Sequence, residues 1–148
     1  MGLIDEIGAG PVALDTVAFI YFIEENPRYL RAVEPVFEAI DEGRLAAVTS
    51  SLTLLEVLVV PFRAGNVALA DRYEQALTRG RGLTLIDIDR GQLRAAAQLR
   101  SVFPKVRTPD ALQVSAALYA RCSALLTNDR QLPAIPGLRI LQLENYSA

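Results

Sequence analysis

Residues 11–26 read PVALDTVAFIYFIEEN, and this stretch carries the two patterns that decide the fold. PVALD is a short apolar run that ends on Asp15, which is typical of a buried strand. From Thr16 onward the apolar side chains recur at helical spacing, with the charged residues collected at the end. A buried strand that leads directly into a helix is the repeating unit of parallel-sheet proteins.

The same alternation continues along the chain. We predict further strands at 45–50, 82–88, 123–127 and 138–143, with a proline-marked turn before the last. Helices are predicted after the second strand, across Glu56, and at 27–43, 66–80, 90–103 and 108–122. Gly43 is expected to cap the end of the helix at 27–43. Thr108 is expected to be the N-cap of the helix at 108–122, followed by Pro109. The pattern predicts a single α/β domain over residues 1–148, with a parallel, mostly four- to five-stranded sheet flanked by helices.

Composition indicates a folded protein rather than a disordered one. Apolar residues make up 51% of the 148, charged residues 22%, and the mean hydropathy is +0.25. No apolar run is long enough to cross a bilayer, and the acidic start MGLIDEIGAG does not resemble a secretory signal. The single cysteine, Cys122, excludes an internal disulfide and is expected to be a buried thiol. We therefore expect a cytoplasmic protein.

The chain contains no histidine. This excludes histidine-based nucleophile triads, histidine-ligated zinc and imidazole acid–base catalysis. Any hydrolytic chemistry must therefore use carboxylates, hydroxyls or a metal ion held by oxygen ligands.

Glu56 is the charged residue inside the apolar run SSLTLLEVLVV, residues 50–60. On a helix it shares a face with Leu52, Val59 and Val60. An unpaired carboxylate among apolar side chains is costly, so Glu56 is expected to have a hydrogen-bonding or metallic partner.

Three further acids are expected near Glu56. Asp15 ends the first strand, Asp129 follows the 123–127 strand by two residues, and Asp110 lies in the first turn of its helix. Ligands of open parallel sheets collect beyond the carboxyl ends of the strands, so the four acids are candidates for one cluster. Oxygen ligands without histidine or cysteine suit Mg²⁺ or Mn²⁺.

Each acid also has a purely structural interpretation, which the sequence leaves open. Asp15 and Asp129 could be helix caps or turn residues, and Asp110 is favoured by the helix dipole. Glu56 could form a capping box with Thr53, although Ser50 and Ser51 are better caps for that helix. Under this interpretation the protein is an interaction domain without a metal site.

Charge is unevenly distributed along the chain, whose net charge is −2. Residues 1–62 hold ten acids and three bases, a net charge of −7. Residues 63–107 hold four acids and nine bases, a net charge of +5. The basic segment either binds an anionic partner or forms the solvated faces of helices, and the sequence does not decide between them.

Four segments, in this order, resemble the PIN domain and more narrowly the VapC-type toxin ribonucleases of toxin–antitoxin pairs. They are VALDTVAFIYFIEENP, TSSLTLLEVLV, TPDALQVSAALYA and SALLTNDRQL, and the resemblance extends from about residue 12 to residue 143. It implies a parallel sheet between helices, and cleavage of RNA by acids that bind one or two Mg²⁺ or Mn²⁺ ions. It also implies a homodimer, and a cognate antitoxin that covers the acidic pocket.

The resemblance assigns roles to particular residues. Asp15, Glu56, Asp110 and Asp129 match the family's four acids, and Asp15 and Asp110 match its usual direct metal ligands. Small polar positions that support the site correspond to Thr16, Ser50, Ser51, Thr127 and Asn128, the last two within the T-x-D element 127–129. Val17 stands where the family often has a polar residue, so one supporting hydrogen bond is expected to be missing.

Two other classes of function are alternatives to this interpretation. A PIN-like module that binds RNA or protein without cutting is the main alternative, although loss of an acid would be its expected sign and all four are present. A metal-dependent phosphatase of another α/β fold would usually carry a second acid two residues after the first. Here Asp15 is followed by Thr16 and Val17.

Overall fold

A five-stranded parallel sheet forms the centre of the protein in the computed structural model, which describes residues 2–147. The strands are β1 (Val12–Leu14), β2 (Ala47–Ser50), β3 (Leu83–Ile86), β4 (Ala124–Thr127) and β5 (Arg139–Gln142). The helices within these residues are α1 (Leu3–Ile7), α2 (Thr16–Ile23), α3 (Leu30–Asp41), α4 (Leu52–Arg63), α5 (Val67–Thr78), α6 (Arg90–Val102) and α7 (Thr108–Tyr119). A 3₁₀ turn, Leu143–Tyr146, follows β5. The predicted α/β class and parallel sheet are confirmed.

The sheet is covered on both faces, which explains why its central strands, β1 and β4, are fully buried and mainly apolar. In β1, Val12 and Leu14 join the core beneath α2, α3 and α5, whereas Ala13 joins the core beneath α7. β4 alternates in the same way, with Leu126 on the first face and Leu125 on the second. A strand that is buried on both sides has no polar face to display.

The sheet order β3-β2-β1-β4-β5 places β1 at the centre, beside β4. The chain runs outward from β1 to β2 and β3 on one side, and from β4 to β5 on the other. The boundary between β1 and β4 is therefore the point at which the strand order reverses. At such a point the connections diverge and leave a crevice beyond the carboxyl ends of the strands.

Several helix ends differ from the predictions. α7 has Arg107 as its N-cap rather than Thr108, because the Arg107 backbone is extended and its carbonyl accepts a hydrogen bond from Ala111 N. The Thr108 hydroxyl accepts instead from Arg100, at 2.9 Å. Gly43, with φ of +77°, follows the end of α3 as predicted. The short α1 and the 3₁₀ turn were not predicted.

No helix among residues 2–147 is long and apolar enough to span a membrane.

Candidate active site at the carboxyl edge of the sheet

The carboxyl ends of β1 and β4 bring two of the predicted acids to the crevice. Asp15 follows β1 directly, and its backbone N–H donates to Leu126 O of β4 at 2.9 Å. Asp129 lies two residues beyond β4, and its N–H donates to the Thr127 hydroxyl at 3.0 Å. The other two acids come from helices that pack beside these strands, Glu56 from α4 and Asp110 from α7.

Asp15 is held by hydrogen bonds to both of its carboxylate oxygens. Oδ1 accepts from Thr16 N at 2.7 Å, which makes Asp15 the N-cap of α2, and Oδ2 accepts from the Thr127 hydroxyl at 2.7 Å. Burial raises the pKa of Asp15, as does the charge of Asp129, whereas the two hydrogen bonds and the charge of Arg107 lower it. The net pKa is raised, so the carboxylate charge is only partly compensated. Capping and ligation are compatible here, because each oxygen has a second lone pair.

Glu56 finds its partner on another helix. Its Oε1 accepts from the Thr16 hydroxyl at 2.6 Å, so α2 and α4 meet through this hydrogen bond. Glu56 is half-buried, whereas Val59 and Val60 on the same helix are 42% and 65% exposed. The capping box with Thr53 is absent from the described residues, because α4 begins at Leu52 and the Thr53 hydroxyl is used elsewhere.

Asp110 and Asp129 form an interacting pair of acids. Asp110 is 7% exposed, and Asp129 is close enough to act on its pKa. Burial, followed by the hydrogen bond and the charge of Asp129, raises the pKa of Asp110 to about 6, although Arg107 lowers it. Two neighbouring carboxylates repel each other unless they share a proton or a cation neutralises them.

A cation from the chain itself lies at this pair. Arg107 Nε donates to Asp110 Oδ2 at 3.1 Å, while the arginine side chain remains 71% exposed. Asp110 chiefly, with smaller effects from Asp129 and Glu56, raises the pKa of the Arg107 guanidinium. Sequence reasoning counted Arg107 only as one member of the basic segment. Its spacing three residues before Asp110 was the signal that could have placed it in the site.

The donor set fits a hard divalent cation in chemistry but not yet in arrangement. All four candidate ligands are carboxylates, and Asp15 and Asp110 carry negative charge that their surroundings compensate only in part. As the side chains stand, however, no three acids within residues 2–147 converge closely enough to hold one ion.

A buried polar network lies directly beneath the acids. Gln113 Nε2 donates to Thr53 Oγ1 at 2.8 Å, and Thr53 and Thr49 are linked at 2.6 Å. Thr49 donates in turn to Leu14 O at 2.7 Å, at the end of β1. The network ties α7, α4 and β2 to the strand that carries Asp15. Sequence reasoning missed it, although Gln113 was visible as a lone amide in an apolar helix.

The remaining predicted supporting residues have structural partners. Ser50 Oγ accepts from Leu52 N at 3.2 Å at the start of α4, and Ser51 N donates to Ile86 O of β3 at 2.9 Å. Asn128 bridges two elements, because its amide donates to the Tyr21 hydroxyl at 3.2 Å and accepts from Glu144 N at 2.9 Å. Thr16 and Thr127 are thus the two supporting residues that bond directly to the acids.

The parallel sheet with acidic side chains at its switch point defines a class of α/β proteins that place a polar site beyond the strand ends. The PIN domain model matches residues 12–138, and the chain belongs to the PIN domain family. Members of this family are generally nucleases that use divalent metal ions. A comparison with curated protein sequences found no match.

Solved structures of similar fold include toxin–antitoxin complexes. VapBC2 from Rickettsia felis bound to a promoter DNA fragment has a TM-score of 0.69 at 19% identity, covering 88% of this chain and 97% of that chain. DNA-bound VapBC from Salmonella typhimurium has a TM-score of 0.60 at 23% identity, covering 89% and 97%. VapC20 from Mycobacterium tuberculosis, a Sarcin-Ricin loop cleaving toxin, has a TM-score of 0.62 at 11% identity, covering 77% and 86%. At these identities the likeness establishes the fold.

Proposed function

We propose that the protein is a divalent-metal-dependent endoribonuclease that hydrolyses RNA phosphodiester bonds at a site formed by Asp15, Glu56, Asp110 and Asp129. The observation that carries the proposal is the 2.7 Å hydrogen bond from Thr127 to Asp15, which joins the strand ends that lead into Asp15 and Asp129, with Asp110 bonded to Arg107 at 3.1 Å. These acids come from three separate elements, and Asp15 and Asp110 have raised pKa values. Buried, mutually repelling carboxylates at a sheet edge lower the stability of the protein, and a cation is the natural compensation.

In the proposed mechanism Asp15 and Asp110 are the principal ligands of Mg²⁺ or Mn²⁺, and Glu56 and Asp129 complete the acidic wall. When bound, a divalent ion would lower the pKa of a water molecule that it holds and would neutralise charge on the phosphate. Thr127 fixes the orientation of Asp15 through its 2.7 Å hydrogen bond. Either Glu56 or Asp129 orients or deprotonates the attacking water.

The hydroxyl of Thr16 has a specific task in this mechanism. It donates to Glu56 Oε1 at 2.6 Å, which leaves the second oxygen of the carboxylate available as an acceptor. A carboxylate held in this way loses less conformational freedom when it orients a water molecule.

The proposal is tested by incubating purified protein with a panel of structured RNAs in Mg²⁺, in Mn²⁺ and in EDTA. Asp15→Asn and Asp110→Asn are the site variants. Asp5→Asn is the matched control, because Asp5 is exposed on α1, before the amino end of β1. Cutting that requires the metal, disappears in both site variants and persists in the control is the expected result. Cutting that survives in the site variants would indicate a contaminant and overturn the assignment.

We further propose that the protein acts as the toxin of a toxin–antitoxin pair in the cytoplasm. Support comes from neighbours of the same fold that are themselves toxin–antitoxin complexes. Induced expression is expected to arrest growth, and co-expression of the product of an adjacent gene is expected to relieve the arrest. The Asp15→Asn variant is expected to be harmless.

We propose a homodimer as the functional form. Three side chains of α4 support this proposal, because Leu55, Val60 and Phe62 are each more than 60% exposed. Apolar surface of this kind commonly marks an interface. Phe62→Glu is expected to reduce the mass measured by light scattering from that of a dimer to that of a monomer, whereas Arg44→Ala, on an exposed loop, is expected to leave it unchanged.

A non-cutting PIN-like module that binds RNA or protein remains a second candidate. It is favoured by the finding that no three acids of residues 2–147 converge on one point. RNA binding that persists without cleavage in either metal would select this alternative.

A further inference from the structure

Arg107 is an exposed cation beside the proposed site, where it is bonded to Asp110. Its backbone is fixed as the N-cap of α7, and Arg100 Nε holds the preceding Val106 carbonyl at 2.9 Å. The guanidinium nevertheless extends into solvent, with 71% of the side chain exposed. A fixed backbone with an exposed cationic head is suited to meeting an incoming anion.

Most of the hydrogen-bonding capacity of Arg107 is unused. Nε donates to Asp110, and within residues 2–147 the two terminal NH₂ groups have no hydrogen-bond partner. A guanidinium has five N–H donors in a planar fork, which matches the oxygens of a phosphate. The contact with Asp110 therefore leaves a phosphate-binding edge open at the mouth of the acidic site.

Arg107 also occupies the position of a counter-charge. It lies against Asp110, and its charge also lowers the pKa of Asp15. A divalent ion on the same carboxylates would repel the guanidinium, and Arg107 would weaken binding of the ion for the same reason. The cation of the chain and the cation of the proposed cofactor therefore compete for Asp110.

We propose that Arg107 is a substrate-positioning residue, whose guanidinium exchanges the Asp110 carboxylate for a phosphate of the RNA when a divalent ion is bound. This inference rests on the proposed function and adds a residue that the resemblance to the family did not assign. In the resting protein Arg107 neutralises Asp110, and in the loaded protein it binds the RNA backbone. An acidic chain would in this way present a positive charge to RNA at the site itself.

The test measures ion binding and RNA binding, whose affinities should change in opposite directions when Arg107 is replaced by alanine. Calorimetry with Mn²⁺ in the absence of RNA is expected to show that Arg107→Ala binds the ion about threefold or more tightly than the wild type, the scale of one screened charge. Anisotropy with a fluorescein-labelled, mixed-sequence single-stranded RNA in Ca²⁺, with a gel to confirm intact RNA, is expected to show about tenfold weaker binding by the variant. The dependence of log affinity on log salt should become shallower by about 0.7.

Two further variants complete the design. Arg107→Lys keeps the charge and should restore most of the salt dependence while recovering only part of the affinity, because a lysine lacks the planar fork. Arg44→Ala removes another exposed, ion-paired arginine, which pairs with Glu42 before β2, and should match the wild type in both assays.

The outcomes separate this inference from the function on which it rests. If Arg107→Ala matches the wild type in ion and RNA binding, or weakens both, the inference is wrong even where the wild type cuts RNA. The wild type could bind RNA and Mn²⁺, and the variant could show the expected changes, without any cleavage of RNA. That result would support the inference about Arg107 and overturn the nuclease assignment. Wild type that binds no RNA overturns both.

Discussion

Asp110→Asn should make the metal-free protein more stable at neutral pH. In the wild type, burial and the neighbouring Asp129 raise the pKa of Asp110 to about 6. In the unfolded chain an aspartate has a pKa of about 3.9, so the folded protein binds the proton more tightly. Between these two values the folded state holds more protons than the unfolded state, and the free energy of unfolding falls as the pH rises.

The size of the effect follows from the difference in pKa. About two pH units, at 1.36 kcal/mol each, set a ceiling of about 3 kcal/mol on the cost of ionising Asp110 in the fold. The positive charge of Arg107 offsets part of the repulsion, so we expect about 1–2 kcal/mol at pH 7.5. Asparagine has no charge to repel Asp129 and can donate a hydrogen bond to it. The variant loses the ion pair with Arg107, but the Arg107 side chain is 71% exposed, so solvent screens much of that attraction.

Urea denaturation in EDTA, monitored by circular dichroism at pH 7.5 and at pH 4, measures the difference. The variant should exceed the wild type by about 1–2 kcal/mol at pH 7.5 and should lose most of that advantage at pH 4, where Asp110 is protonated in the wild type. Asp5→Asn, on the exposed side of α1, should differ from wild type by less than about 0.5 kcal/mol at either pH. A variant that is less stable than wild type at pH 7.5, or equally displaced at both pH values, would refute the reasoning.

Three further predictions concern the same site. Mn²⁺ at about 100 times its dissociation constant should raise the free energy of unfolding of the wild type by about 2.7 kcal/mol. The same Mn²⁺ concentration should leave the free energy of unfolding of Asp15→Asn nearly unchanged. Thermal denaturation of both proteins at fixed pH would check this. Thr16→Val should lower the cleavage rate about tenfold with little change in KM, because it removes the hydrogen bond that orients Glu56. Thr16→Ser keeps the hydroxyl and should retain most of the wild-type rate. Equal rates in all three proteins would contradict this prediction. Gln113→Leu should cost about 1–3 kcal/mol in urea denaturation, because Thr53 and Ser50 N lose their buried partner; an unchanged midpoint would show that this network does not stabilise the fold.

The strands of the sheet could be predicted because most of them are short apolar runs, which are typical of buried strands. All five predicted strands are present, and the carboxyl edge of the sheet follows from their parallel alternation with helices. The presence of Asp15 at that edge was therefore predictable from chain order alone. The five-residue α1 was not, since so short a helix has no period to detect and depends on packing of Leu3 and Ile7 against the core.

The partners of the acids could not be predicted from spacing. Thr16 and Glu56 are separated by 40 residues, and their hydrogen bond depends on how α2 and α4 lie beside one another. Glu56 was expected to share a buried apolar face, but Val59 and Val60 are exposed because α4 is covered on one side only. The direction of the Arg107 side chain also depends on the helix start, which lies one residue earlier than predicted.

The acidic edge is stabilised by donors that leave lone pairs on the carboxylates. Asp15 accepts from a backbone amide and from the Thr127 hydroxyl, Glu56 accepts from the Thr16 hydroxyl, and Asp110 is neutralised by Arg107. None of these contacts requires an ion, so the protein is expected to fold without one. The proposed metal ion would therefore add stability to a fold that forms without it. Small zinc-finger domains differ, because they are unfolded without their structural zinc ion. Because Arg107 is the one of these partners that carries a full charge, displacing it is the step at which metal binding and RNA binding become linked.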